Sequence, residues 1–214
     1  EFVRVTESAA MAAVAWMGRG DGKAADGAAV DEMRDRFNGI DFQGTVVIGE
    51  GAKDEAPELY VGEAVGTGKG PMLDIAVDPL ECTNSVANGW PNAISVIATG
   101  AAGSLFHAPD MYMNKIACGP LAKGSIDLDA SVAENITRVA KKLDKAVEDL
   151  VVLVLNRPRH EQLIKDIRAT GARVRLISDG DVAGAIAPSL PESGIDLLMG
   201  IGAWRGMFQH LWGP

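Results

Sequence analysis

The sequence predicts an α/β fold, on three observations. Short aliphatic and β-branched runs, among them Thr45-Val46-Val47-Ile48, Ile75-Ala76-Val77 and the stretch from Leu150 to Leu155, read as buried strands. Other segments place apolar residues at helical spacing. The clearest carries Val132, Ile136, Val139 and Leu143 behind the capping box Ser131-Val132-Ala133-Glu134. From about residue 150 onward, strand and helix patterns alternate, as in a parallel α/β unit.

In chain order, residues 6–17 form an Ala-rich helix with Thr6 or Ser8 as its cap. A glycine-rich turn follows at 18–23. Asp26 opens a second helix running to about Asn38, with Val30, Met33 and Phe37 on one face. The strand at Thr45–Ile48 ends in Gly49-Glu50-Gly51, a carboxylate between two residues that allow close approach. A second strand carries Ile75 to Val77 and is stopped by Pro79. Ala93–Ala98, the stretch 104–106 and Tyr112–Ala117 read as an antiparallel meander. The later unit supplies a strand at 150–156, a helix ending near Gly171, a strand at Val174–Ile177, a short helix to about Ala187 and a strand from Asp196.

Composition narrows the function. The 214 residues are 47% hydrophobic and 23% charged, ordinary for a globular protein with a substantial core. A net charge of −9 argues against a nucleic-acid surface, and no apolar run approaches a membrane span. Cys82 and Cys118 are too few for a disulfide framework, which favours a reducing cytoplasm. The N-terminus has no signal-peptide pattern, and the start at Glu1 reads as a processed or cut end.

Chemistry gathers at the strand ends. Asp78, Glu81 and Thr83 leave the sheet together, and crowded carboxylates stay ionised side by side most readily around a divalent cation. The other reading is a solvated turn with Thr83 capping the next helix. Glu50 repeats the theme at a second strand end, and Asp26 stands at a helix start. Oxygen donors without a His and Cys set suit Mg²⁺ or Mn²⁺ better than zinc. In the later unit, Arg157 and Arg159 face Asp179 and Asp181 at the strand ends, either an anionic, hydroxyl-rich ligand site or a surface ion-pair cluster. Metal plus arginines points to a metal-dependent phosphatase.

Specific motifs then carry a resemblance. Asp78-Pro79-Leu80-Glu81-Cys82-Thr83 is similar to the Asp-Pro-Ile-Asp/Glu-Gly-Thr signature of the lithium-sensitive sugar-phosphatase superfamily. Around it, Arg4-Val5-Thr6-Glu7-Ser8, Ala25-Asp26-Gly27-Ala28, Val47-Ile48-Gly49-Glu50-Gly51, Asp54-Glu55-Ala56-Pro57, Ala108-Pro109-Asp110-Met111-Tyr112-Met113, Arg157-Pro158-Arg159-His160 and Asp179-Gly180-Asp181-Val182 resemble the class II fructose-1,6-bisphosphatases, collinearly to about Gly202. The resemblance implies a layered α-β-α-β-α fold. It implies that Asp26 and Glu50 hold one divalent cation, Asp78 and Glu81 another, either Mn²⁺ or Mg²⁺. It sets Glu81, Cys82, Thr83, Tyr112, Arg157, Pro158, Arg159, Asp179, Gly180 and Asp181 against a sugar bisphosphate. Thr83 and Asp26 would orient the attacking water, and Asp54 joins them as a catalytic carboxylate.

Four departures from that pattern stand out. Gly22 intervenes in the family's Gly-Asp-Lys turn, so that Lys23 is displaced by one residue, still within reach of phosphate. Ala52 replaces an acid. Cys82 stands where the signature has Gly, at a cost of about 1 kcal/mol if the position requires φ > 0. Gly200-Ile201-Gly202-Ala203-Trp204-Arg205-Gly206 lacks the family's metal-ligand Glu, and the chain ends at Pro214 as a truncated or frameshifted product would. The expected organisation is a metal-binding sugar-phosphatase domain over 1–148, the start of an incomplete second α/β domain over 149–202, and an atypical tail over 203–214. The expected activity is hydrolysis of the 1-phosphate of fructose 1,6-bisphosphate in gluconeogenesis, in the cytoplasm. A phosphatase for sedoheptulose 1,7-bisphosphate or an inositol phosphate, or an inactive fragment that binds metal or sugar phosphate, are the rivals. The partner is a small sugar bisphosphate, with neither nucleic acid nor membrane, and a homo-oligomer remains open.

Overall fold

Residues 1–50, 59–105 and 112–203 are described by the computed structural model. They fall into two compact units, within Glu1–Asp110 and Met111–Trp204. Asp54, Ala52 and the stretch 204–214 of the expected tail lie outside the described residues, as do 106–111.

The first unit contains α1 (Phe2–Val14), α2 (Gly22–Phe37), β1 (Gln43–Ile48), β2 (Ala64–Val65), β3 (Met72–Glu81), α3 (Thr83–Asn88) and β4 (Ile94–Ala101). Its sheet has the order β2-β1-β3-β4, with β1 and β3 parallel and the outer pairs antiparallel. Strand periodicity sorts the side chains onto two faces. Val46, Ile75 and Val77 join the core formed with Val5, Ala9, Val30, Met33 and Phe37 of α1 and α2. Val47 and Ala76, one residue out of phase, cluster with Val96, Ala98 and Leu105.

Three boundaries differ from expectation. Helix α1 starts at Phe2, well before Thr6, because the Phe2 ring lies edge-on to Phe42 at 5.2 Å and to Phe37 at 6.1 Å. Such aromatic contacts add about 0.5–1.5 kcal/mol beyond area burial, enough to hold a first turn. Thr6 is no cap; its hydroxyl donates to the Val3 carbonyl at 3.0 Å. Helix α2 is capped by Asp21, whose Oδ1 accepts from the Ala24 amide at 2.9 Å, so Asp26 sits inside the helix instead of opening it. Strand β3 does not stop at Pro79 but runs on to Glu81. Its pairing with β4 is irregular between Asp78 and Glu81, and this break accommodates a residue with no N–H to give to a ladder.

The second unit contains β5 (Tyr112–Cys118), α4 (Val132–Leu143), β6 (Val151–Leu155), α5 (Glu161–Ala169), β7 (Arg173–Ile177), α6 (Asp181–Ile186) and β8 (Leu197–Ala203). The order is β5-β8-β6-β7, with β6 parallel to both β7 and β8, as the alternation from residue 150 predicts. The expected meander of β4 with β5 does not form: β5 runs antiparallel along β8, from Tyr112 opposite Ala203 to Cys118 opposite Leu197. This pairing brings β5 into the second unit, and α4 packs there too through Ile136 and Val139, although both precede residue 149. Helices α4 and α5 cover one face of the sheet over Val152, Val154 and Leu197, while Ala185 of α6 packs with Leu153 and Leu198 on the other. Asp196 ties the starts of β6 and β8, accepting from the Val151 amide at 3.0 Å and from Lys145 Nζ at 2.6 Å. Among the described residues no helix is long and apolar enough to cross a membrane.

Candidate functional site

In the first unit two acids stand level on parallel neighbours, Glu50 just past the end of β1 and Asp78 inside β3, where it pairs with Val96 of β4. Ile48 of β1 pairs with Ala76 of β3, so Glu50 and Asp78 each follow a paired position by two residues. Gly49 makes the exit from β1: a Cβ there would collide with the Leu59 carbonyl, while the Glu50 amide donates to that oxygen at 3.0 Å. Asp78 is 1% exposed and Glu81 8% exposed. Burying carboxylates is unfavourable unless positive charge or hydrogen-bond donors answer them.

Immediately beyond Glu81 the chain turns on Cys82, with φ 71° and ψ 49°. This left-handed conformation is the one glycine adopts freely, which accounts for the glycine of the superfamily signature. The Cys82 thiol is buried and points at Glu81 Oε1 from 4.0 Å. Thr83 opens α3, and its hydroxyl donates to the Leu80 carbonyl at 3.1 Å.

Helix α2 reaches this turn through its first residue. A Cβ on Gly22 would come within 3.1 Å of Thr83 Cγ2, tighter than side chains ordinarily pack, so the residue that intervenes before Lys23 allows the approach. Asp26 lies four residues on, hence on the same helix face, with its Cα–Cβ bond tilted toward the Thr83 end. The fold therefore brings Asp26 and Thr83 to one side of α2. Lys23, one position round the helix, is exposed. Among the described residues no three His, Cys, Asp or Glu side chains are grouped closely enough to hold a metal ion by themselves.

The second unit repeats the geometry with different chemistry. Leu155 of β6 pairs with Ile177 of β7, and Arg157 and Asp179 each follow by two residues. Tyr112, opposite Ala203, lies at the same end of the sheet because β5 is antiparallel to β8. The Arg159 guanidinium stands over the Tyr112 ring at 5.1 Å, and Arg159 Nε donates to the Ile201 carbonyl at 2.9 Å. Gly180, at φ 93°, turns the chain into α6, and its amide donates to Asp179 Oδ1 at 3.1 Å. The other carboxylate of this segment, Asp181, is met by a residue that the motifs leave aside: Lys115 Nζ lies 2.5 Å from Asp181 Oδ2. Nothing local in the sequence marks Lys115, because its partner comes from a distant element. His160 was legible only as the end of the Arg157-Pro158-Arg159 motif; it proves fully buried.

The chain is similar to known proteins over nearly its whole length. The model of the family described as bacterial fructose-1,6-bisphosphatase, glpX-encoded, matches residues 1–205. Fructose-1,6-bisphosphatase 1 class 2 of Escherichia coli strain K12 is 52% identical over 202 residues, covering 94% of this chain and 60% of the relative. The class 2 fructose-1,6-bisphosphatases of Escherichia coli O6:H1 and Shigella flexneri match to the same 52% and the same coverage. The chain thus spans 60% of the length of the curated relatives it matches. With nearly its whole length matched in collinear order, this chain belongs to the bacterial, glpX-encoded fructose-1,6-bisphosphatase family.

Proposed function

We propose that this chain hydrolyses the 1-phosphate of fructose 1,6-bisphosphate to fructose 6-phosphate and phosphate, with Mn²⁺ or Mg²⁺ held by its carboxylates. The observation that carries this reading is the level placement of Glu50, just past the end of β1, and Asp78, inside its parallel neighbour β3, with Glu81 and Thr83 close behind, in a chain of this family. The donor chemistry fits a hard dication: every candidate ligand is a carboxylate, and two of them, Asp78 and Glu81, are buried on either side of the register break in β3. Asp26, Glu50, Asp78 and Glu81 would hold the metal. When bound, a divalent cation supplies Lewis acidity toward a phosphoryl oxygen and lowers the pKa of water.

The chain's own residues do the rest. The Thr83 hydroxyl spends its proton on the Leu80 carbonyl, leaving lone pairs to accept a hydrogen bond from the attacking water. Asp26, on the helix face that meets Thr83, accepts another. Asp54 belongs to this catalytic group in the proposal and lies outside the described residues. In the second unit Arg157 and Arg159 neutralise phosphate, and Lys23 is the phosphate-binding cation of the first unit. Tyr112, Asp179 and Asp181 hydrogen-bond the sugar, and the backbone at Cys82, Pro158 and Gly180 shapes the contact. The setting is gluconeogenesis in the cytoplasm, with a small sugar bisphosphate as partner.

Purified chain with Mn²⁺ is expected to release phosphate from fructose 1,6-bisphosphate faster than from sedoheptulose 1,7-bisphosphate or an inositol phosphate. The reverse preference overturns the substrate assignment. One observation favours a second reading, binding without turnover: the described carboxylates do not close a three-donor group on their own. Saturable Mn²⁺ binding with no phosphate release at high enzyme, and release from a chain extended to the length of its relatives, would establish it.

A further inference from the structure

His160 has no exposed surface, and both ring nitrogens are engaged. The Ile201 amide donates to Nε2 at 2.8 Å. A backbone amide can only donate, so Nε2 carries no proton, and Nδ1 bears it and donates to the Leu155 carbonyl at 2.7 Å. Leu155 ends β6, and Ile201 lies in β8. The parallel ladder between these strands covers Val152 with Leu197 and Leu153 with Leu198. The imidazole therefore bridges the strands beyond those rungs, toward the end where Arg157 and Asp179 emerge. The adjacent residue grips the same point from the other side, since Arg159 Nε donates to the Ile201 carbonyl at 2.9 Å. Gly200 leaves room for the ring: a Cβ there would stand 3.3 Å from Nε2.

We propose that His160 is a positioning residue. Its neutral, Nδ1-protonated imidazole locks the turn Arg157-Pro158-Arg159 onto Ile201 and so presets the Arg159 guanidinium over Tyr112 for a phosphate oxygen of the sugar ligand. The inference rests on the reading above that Arg159 binds the sugar phosphate. An arginine side chain loses considerable rotamer freedom on binding, and a scaffold that has already removed that freedom gains affinity without a new ligand contact. Only a side chain with an acceptor toward β8 and a donor toward β6 satisfies both strands at once.

The test titrates fructose 6-phosphate into the full chain, ¹⁵N-labelled. The expected spectrum shows one protonated and one unprotonated His160 ring nitrogen, and the Ile201 amide, His160 Nε2 and Arg159 Nε shift along one binding curve. An Arg159 response with His160 and Ile201 unmoved overturns the proposal, as does an Nε2-protonated ring. Among variants, His160→Phe keeps the ring volume and is expected to weaken fructose 6-phosphate binding about tenfold, the equivalent of one lost orienting hydrogen bond. His160→Gln, with a donor and an acceptor, recovers part of that loss. If Arg159→Gln weakens binding while His160→Phe does not, the role of His160 falls alone. If neither weakens it, the assignment of Arg159 falls and takes the proposal with it. Should His160→Phe fail to fold, the wild-type titration decides.

Discussion

Lys115 and Asp181 form an ion pair across Gly202 of β8, which has no side chain to separate them. Their closest atoms are 2.5 Å apart, and a Cβ on Gly202 would collide with the Asp181 carboxylate and press within 3.1 Å of Lys115 Nζ. Both side chains are about one-fifth exposed, at 21% and 18%, so water screens the pair only in part. Gly202 is thus a steric condition of the pair.

Gly202→Ala is expected to split it. Overpacking of this kind costs about 1–3 kcal/mol, read as a lower urea midpoint at unchanged slope. Lys115→Met removes the charge without the steric clash, and is expected to weaken fructose 6-phosphate binding severalfold while changing stability less than Gly202→Ala does. A Gly202→Ala protein as stable as wild type would mean that β8 yields locally and that the glycine is incidental.

Cys82 offers a cleaner measure of backbone strain. At φ 71° its Cβ is disfavoured by about 1 kcal/mol relative to glycine. Replacing Cys82 with either Ala or Gly removes the same sulfur, so comparing the two variants isolates the backbone contribution. Cys82→Gly is expected to exceed Cys82→Ala in stability by about 1 kcal/mol, less a few tenths for the looser unfolded chain. Equal denaturation midpoints would show that the turn absorbs a Cβ without strain.

How far the sequence could be read depended on whether a signal was local. The strand around Val46, the strand from Val151 to Leu155 and the capping box at Ser131 were legible because hydrophobic period and cap chemistry act within a few residues. Glu50 and Glu81 were legible as acids at strand ends for the same reason, whereas Asp78 lies inside β3. Asp26 reads as the start of α2, and only the bond from the Ala24 amide to Asp21 shows that the helix begins earlier. Pro79 reads as a strand breaker, yet a register irregularity against β4 lets the strand continue. The pairing of β5 with β8, the approach of Gly22 to Thr83 and the Lys115–Asp181 pair are contacts between distant elements, and no window of sequence contains them.

The capping box makes a prediction about pH. Glu134 accepts from the Ser131 hydroxyl at 2.7 Å and from the Ser131 amide at 2.9 Å. These bonds, the hydroxyl's foremost, hold its carboxyl below the usual glutamate range, and Arg138 adds a smaller pull. A folded-state pKa below the unfolded one means the stabilisation is fully present above the ordinary glutamate value and is lost as pH falls through the lowered one. Glu134→Gln is therefore expected to be less stable than wild type at neutral pH, with the gap closing as the solution is acidified below pH ~4. A gap independent of pH would assign the effect to the helix cap geometry alone.

Asp78→Asn separates a metal ligand from an aspartate that merely supports the fold. Asp78 is 1% exposed, and asparagine matches its shape while removing the charge. A supporting aspartate would lose stability on this change whether or not metal is present. A ligand shows itself otherwise, in the stability that added metal supplies. With Mn²⁺ at about a hundredfold over its dissociation constant, wild type should gain about 2.7 kcal/mol, and the variant should gain little of it. Phosphate release from fructose 1,6-bisphosphate should fall by about a hundredfold or more, as for loss of a group that stabilises transition-state charge. A Mn²⁺-induced rise in melting temperature that survives in Asp78→Asn would place the ion away from β3, and the role assigned to Glu81 and Thr83 would have to move with it.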